Sequence, residues 1–453
     1  MNVTAILILA SGSPALWGAP PEPKMSYLDN GTLRIGVNLN AGGAITYLSK
    51  SGDGTNLVNN WDWGRQIQMS HYSGPVPFAP GGKQPFPHWA GLGWNPVQAG
   101  DHYRNPSKVL DHKNDGKTLY VKCIPMQYAL DNVPAECTFE CWITLKGSTA
   151  QVRSRMVVDR PDKTQYPARG QELPAIYTIG TLYRLMSYTG GRPFTSDKLT
   201  RIEKTEAEKQ KGGWPWVSYQ ATEGWAALVN DQDWGVGIWK PDCTSFVGGF
   251  AGKPGQGGTN DDPTGYISPT LEEIIDHNIT YEYRYILIVG TLTEIRKYVY
   301  DDPDGARYPG PPIYTFEKDR RHWWYQNATD TGWPIRGELH VLLDKPDSQL
   351  IGPSSFWLAA DAPKLRIEAA FKTQGKQATV FWKRFGDDSF TDARSVQFPI
   401  NPDGRYRLYE IDLSGSPEYR GGIIGLRFDP ANSGTTGGWV KIRRICLYKP
   451  RAD

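Results

Sequence analysis

Two neighbouring stretches, ECTFECWITLKG (Glu136–Gly147) and AQVRSRMVVDR (Ala150–Arg160), decide the fold class. In both, β-branched, aromatic and aliphatic residues alternate or cluster between polar ones, the pattern of strands rather than of helices. Working outward, the same signature precedes them in TLRIGVNLN (Thr32–Asn40), GAITYLSK (Gly43–Lys50) and KTLYVKCIPMQYAL (Lys117–Leu130), with Gly, Asn and Asp at the breaks. It resumes in GWAALVND (Gly224–Asp231), WGVGIWKPD (Trp234–Asp242) and ITYEYRYILIVG (Ile279–Gly290). The expectation is a long antiparallel meander folded into large stacked sheets. TLTEIRKYVYDD (Thr291–Asp302) is the best short helix candidate.

PDGARYPGPP (Pro303–Pro312) excludes both helix and central-strand pairing and marks a linker, taken as residues 303–313. Beyond it, from SSFWLAADAP (Ser354–Pro363) to WVKIRRICLYK (Trp439–Lys449), short strands recur at intervals of about ten residues, the spacing of a compact sandwich. The expected architecture is all-β: a large antiparallel sandwich over 25–302 and a smaller one over 314–453. Residues 1–24 read as a leader, because Ile6–Ala10 and the small residues after it resemble the end of a secretory signal, although no basic segment precedes them.

Composition agrees. Among 453 residues there are 49 Gly, 35 Pro, 17 Trp and 24 Tyr, a turn-rich and aromatic-rich profile that favours β-sandwiches. Lys plus Arg total 50 against 48 Asp plus Glu, and no basic run is long enough to track a phosphate backbone, which argues against nucleic acid. No apolar run reaches the ~20 residues of a membrane span. The five cysteines, Cys123, Cys137, Cys141, Cys243 and Cys446, lack CxxC spacing. They read as buried thiols, with one bridge near Cys123, Cys137 and Cys141 as the alternative. No GxSxG, P-loop, dinucleotide or HExxH motif occurs.

The loop FPHWAGLGWNPVQAGDHYRNPSK (Phe86–Lys108) concentrates side chains suited to a polar ring-shaped ligand. Trp89 and Trp94 could cover sugar faces while Asn95, Gln98, Asp101 and His102 bond hydroxyls, the alternative being that the indoles belong to the core. ARGQELP (Ala168–Pro174) presents Arg169, Gln171 and Glu172 together, with Glu172 read either as a catalytic carboxylate or as an ion-pair partner of Arg169. Trp214 and Trp216, in WPWVSYQ, could supply a platform for further sugars or pack inward.

The opening segment TLRIGVNLNAGGAITYLSKSGDGTNLVNNWDWGRQIQMSHYSG (Thr32–Gly74) resembles the β-supersandwich of galactose-mutarotase-like carbohydrate-active proteins. WLAADAPKLRIEAAF (Trp357–Phe371) and GLRFDPANSGTTGGWVKIRRICLYK (Gly425–Lys449) resemble a jelly-roll carbohydrate-binding module. The resemblance implies a sugar site on the concave face of the larger sheet.

The first expectation is therefore a glycoside hydrolase, secreted or periplasmic, acting on a polysaccharide or oligosaccharide. It would use Glu172 and a second carboxylate, Asp101 ahead of Asp62 and Glu273, with His71, His88 and Arg169 assisting. A polysaccharide lyase with a His or Tyr base and Arg65 or Arg169 on a uronate is the second reading, and a non-catalytic glycan binder the third. No cofactor or metal is required, although Asn260, Asp261 and Asp262 could hold a structural Ca²⁺.

Overall fold

The computed structural model describes residues 23–301, 310–431, 434 and 436–450. Most of the expected leader (1–24) and linker (303–313) lies outside these residues.

Glu136–Gly147 and Ala150–Arg160 form the strands Cys137–Lys146 and Thr149–Val158, an antiparallel hairpin. Alternate residues, Phe139, Cys141, Ile143, Val152 and Met156, enter the core, while Trp142 faces outward beneath the Arg153 guanidinium. The hairpin belongs to a nine-stranded sheet running from Thr200–Arg201 through Trp225–Val229 and Thr280–Thr291 to Lys108–Asn114. A ten-stranded sheet lies against it. Its main path runs Met25–Asp29, Leu33–Asn38, Ala44–Lys50, Ile67–Ser70, Arg169–Ile179, Thr264–Glu273, Ser245–Ala251 and Trp216–Gln220, all neighbours antiparallel. Aliphatic and aromatic residues from both sheets fill one continuous core between them.

Thr291 ends a strand and caps the helix Leu292–Asp301: Glu294 N–H donates to Thr291 Oγ1 (3.2 Å), and Thr291 N–H donates back to the Glu294 carboxylate (2.8 Å). Leu292, Ile295 and Val299 bury its apolar face on the outer side of the nine-stranded sheet, against Trp225 and Trp239.

From Ile313 onward the chain builds a second sandwich of two six-stranded sheets with a core of its own. The sandwiches meet through apolar packing, with Ile274 in the second core and Trp333 against both, and through charge. Arg320, buried, pairs with Asp330 of its own sandwich and Asp276 of the first, and Gln165 bonds both carboxylates. Burial alone would lower the Arg320 pKa, but the two carboxylates hold it well above the usual guanidinium value. His322 pairs with Glu273 across the same junction. All five cysteines are buried and free. Among the described residues no helix is long and apolar enough to cross a membrane.

Candidate functional site

The strand Arg169–Ile179 sits at the centre of the ten-stranded sheet, and its alternation sorts the sequence candidates. Successive strand residues point to opposite faces, so Gln171 turns into the core while Glu172 faces out. Glu172 is paired with Ser70 on one side and Thr270 on the other, and the register then slips before Ala175 and Ile176. The bulge falls at Leu173-Pro174, where proline has no N–H for the ladder.

The outward face above Glu172 is a cleft of about 380 Å³. Tyr72 donates its hydroxyl to Glu172 Oε2 at 2.6 Å and Tyr266 donates to Oε1, so a phenol grips each carboxylate oxygen. Burial first, and the neighbouring Glu172 charge second, push the pKa of Tyr72, Tyr177 and Tyr266 well above the normal phenol range. These phenols stay protonated as donors. Tyr177, Tyr266 and Trp216 form an aromatic floor, with Tyr266 lying 4.7 Å from Tyr177 and 4.9 Å from Trp216 between ring centroids.

Asp62 is the second carboxylate in the lining. Its Oδ1 accepts from Gly64 N–H (2.8 Å) and its Oδ2 pairs with Arg65 Nε (3.1 Å), while the other end of Arg65 pairs with Asp262 (2.9 Å). Across the cleft, Trp89 and Trp214 stack at 5.6 Å and 25°, and Trp214 remains 53% exposed. Two further groups hold Trp89 in place. Its Nε1–H donates to His102 Nδ1 (3.3 Å), and Arg169 donates to the Leu92 and Gly91 carbonyls (2.6 and 3.1 Å), tying down the end of the loop. Gly93 allows that approach: its φ is +68°, and a Cβ would lie 2.7 Å from the Ser73 carbonyl and 2.8 Å from Arg169 Nη1.

The structure thus gathers Glu172, Arg65, Trp89, Trp214, Trp216 and Asn95 around one cleft, with His88 at the rim, 4.4 Å from Trp89. Other sequence candidates lie elsewhere. Asp101 is buried and accepts from the Asn105 N–H and amide and from Asn132 N–H (2.8 Å each), which spends its carboxylate on shaping the loop. Burial raises its pKa against those bonds. Trp94 is in the core, donating to Glu136 (2.9 Å), and Gln98 braces Met69 and Gly42 from a buried position. His71 is enclosed between the sheets, bonded to Gln171 (3.2 Å) and edge-on to Phe139, Tyr281 and Tyr283. Desolvation lowers its pKa to about 4. Arg169 bonds loop carbonyls rather than Glu172. Glu273 turns to Tyr281 and His322 at the junction between sandwiches. Of the acidic loop, Asp262 holds Arg65 and Asp261 accepts from Gly258 N–H (2.6 Å).

Sequence reading had no handle on Tyr177 and Tyr266. They sit directly opposite one another across neighbouring strands, but about ninety positions separate them in the chain. The only local signal was outward phase on a strand whose bulge hides the count.

No family model matches the chain, and no curated protein matches it. Among solved structures, it is similar to a putative aldose 1-epimerase from Escherichia coli (13% identity, TM-score 0.36, covering 60% of this chain and all of that one). It is similar also to a galactose mutarotase-like protein from Lactobacillus casei (14%, TM-score 0.34, 58% and 99%). A third similarity is to 4-alpha-glucanotransferase from Thermococcus litoralis (13%, TM-score 0.33, 60% of this chain and 42% of that one).

Proposed function

We propose that this chain is a carbohydrate-active enzyme that hydrolyses a glycosidic bond in the cleft above Glu172. One observation carries the reading: two carboxylates, Glu172 and Asp62, line a single cleft whose other walls are flat aromatic faces, Trp89, Trp214, Trp216 and Tyr177. Hydrolysis of an acetal needs a proton delivered to the leaving oxygen and a base or nucleophile on the sugar. Glu172, both of whose oxygens accept phenol hydrogen bonds, takes the second role, and Asp62, in place of Asp101, is the second carboxylate of the pair. The indoles cover sugar C–H faces, and Arg65 offers a polar contact at the wall.

Elimination has a weaker case. It needs a base, and of the imidazoles His71 is sealed in the core, His102 accepts from the Trp89 indole and His88 alone reaches the rim, while burial and the Glu172 charge hold the cleft phenols protonated. Incubation with neutral and uronic polysaccharides, reading reducing ends and ultraviolet absorbance together, tests the assignment. New reducing ends without absorbance are expected. Absorbing unsaturated ends would replace hydrolysis by elimination, and silence in both would leave a binding protein.

A further inference from the structure

On the same outward face of the ten-stranded sheet, beside the cleft, lies a second cavity of about 550 Å³. Tyr27 and Tyr47 form one wall: their strands flank Gly36, whose missing side chain lets the rings meet edge to face at 5.5 Å. The two cavities share a partition built from one loop. Trp61, Trp63 and Gln66 line the second cavity, whereas the interleaved Asp62, Gly64 and Arg65 line the cleft. The loop opposite divides likewise, with Thr259 and Asn260 on the second cavity and Asp262 gripping Arg65.

The chemistry of the two chambers differs. Among the described residues no carboxylate, thiol or imidazole lines the second cavity, and Arg104 is the single charged group. What it offers is amides, hydroxyls and indoles, the set that recognises sugar hydroxyls and ring faces without reacting. Its floor is fixed in advance: Asn56 and Asn60 both donate to the Thr46 carbonyl (2.8 Å each) and to Thr259 Oγ1 (3.0 Å each). That network leaves Asn60 Oδ1 without a partner. At the mouth, Trp61 is 45% exposed, an unusual setting for an indole.

We propose that this cavity is a non-catalytic subsite for uncharged sugar units, so that a glycan chain bound in the cleft continues over the partition into it. The inference rests on the cleft being a carbohydrate site, and it makes the substrate a polymer rather than a free monosaccharide.

Native affinity gels containing galactomannan, xyloglucan, arabinoxylan or mixed-linkage β-glucan, with homogalacturonan as the charged comparison, test it in the full chain carrying Glu172→Gln. At least one neutral polymer should retard this protein. Trp61→Ala, which empties the mouth, and Asn260→Trp, which fills it, should each weaken that retardation by about fivefold or more, with circular dichroism unchanged. Unaltered affinity in both variants, no retardation by any of the four, or preferential retardation by homogalacturonan would each overturn the proposal. The cleavage reading fails separately: a wild-type protein that binds a polymer through Trp61 but releases no ends from it keeps the subsite and loses the hydrolase.

Discussion

Glu172 and Gln171 are adjacent in the chain and belong to different environments, one gripped by phenols in a cleft and the other bonded to a core histidine. Sequence could place a carboxylate, an amide and a guanidinium together in ARGQELP, but strand phase decides which of them faces solvent, and the bulge at Leu173-Pro174 blurs that phase. The same physics separates Tyr72 from His71. His71 makes this separation measurable, because its folded pKa of about 4 lies below its ordinary value of 6.5. Above the unfolded value, the ring is neutral in both states and its full contribution to stability is present. As pH falls toward the folded value, the unfolded chain takes up a proton that the folded core refuses, and stability drops by roughly 3 kcal/mol in total. Urea unfolding at about pH 7 and about pH 5 should show His71→Leu losing less stability on acidification than the parent. Equal losses would mean that the imidazole is not desolvated as described.

At the scale of elements, composition singles out the aromatic loop but cannot divide its side chains between cleft, core and the loop's own turns. Trp89 and Trp94 are equivalent in sequence terms; one closes the cleft and the other fills the core. Asp101, favoured for its company, shapes the loop instead, because four residues further on Asn105 satisfies it from within the same turn. Loops of this kind carry polar side chains for their own architecture as often as for ligands. In the proposed function Trp89, stacked on Trp214, covers a sugar face. Trp89→Ala should therefore lower kcat/KM on a cleaved polysaccharide by roughly 1–3 kcal/mol of transition-state binding while leaving the thermal midpoint nearly unchanged. A variant with normal kinetics would confine Trp89 to the scaffold. His102 and Arg169, which hold the indole and its loop, act through position, not through contact with the reacting atoms.

Across the whole molecule, the all-β architecture and the second sandwich were legible, because period-two patterning and regular turn spacing are local signals that survive without an alignment. Sheet order was not, since Arg169–Ile179 pairs with strands from both earlier and later in the chain. At the junction, Arg320 ties the second sandwich to Asp276 of the first. Arg320→Met should leave two buried carboxylates facing one another without their cation, destabilise the protein by roughly 3–5 kcal/mol, and split one calorimetric transition into two. A single unshifted transition would show that the sandwiches are coupled by other means. Of the second sandwich's tryptophans, Trp323, Trp357 and Trp382 are fully buried, whereas Trp324, Trp333 and Trp439 are partly exposed. The proposed hydrolysis rests on Glu172 performing the chemistry of the cleft. The most direct test compares reducing-end release by the parent and Glu172→Gln on the same polysaccharide, with affinity for that polymer measured alongside. Release should fall by at least about a hundredfold while affinity is retained; release that persists undiminished in a folded Glu172→Gln protein would remove Glu172 from the chemistry.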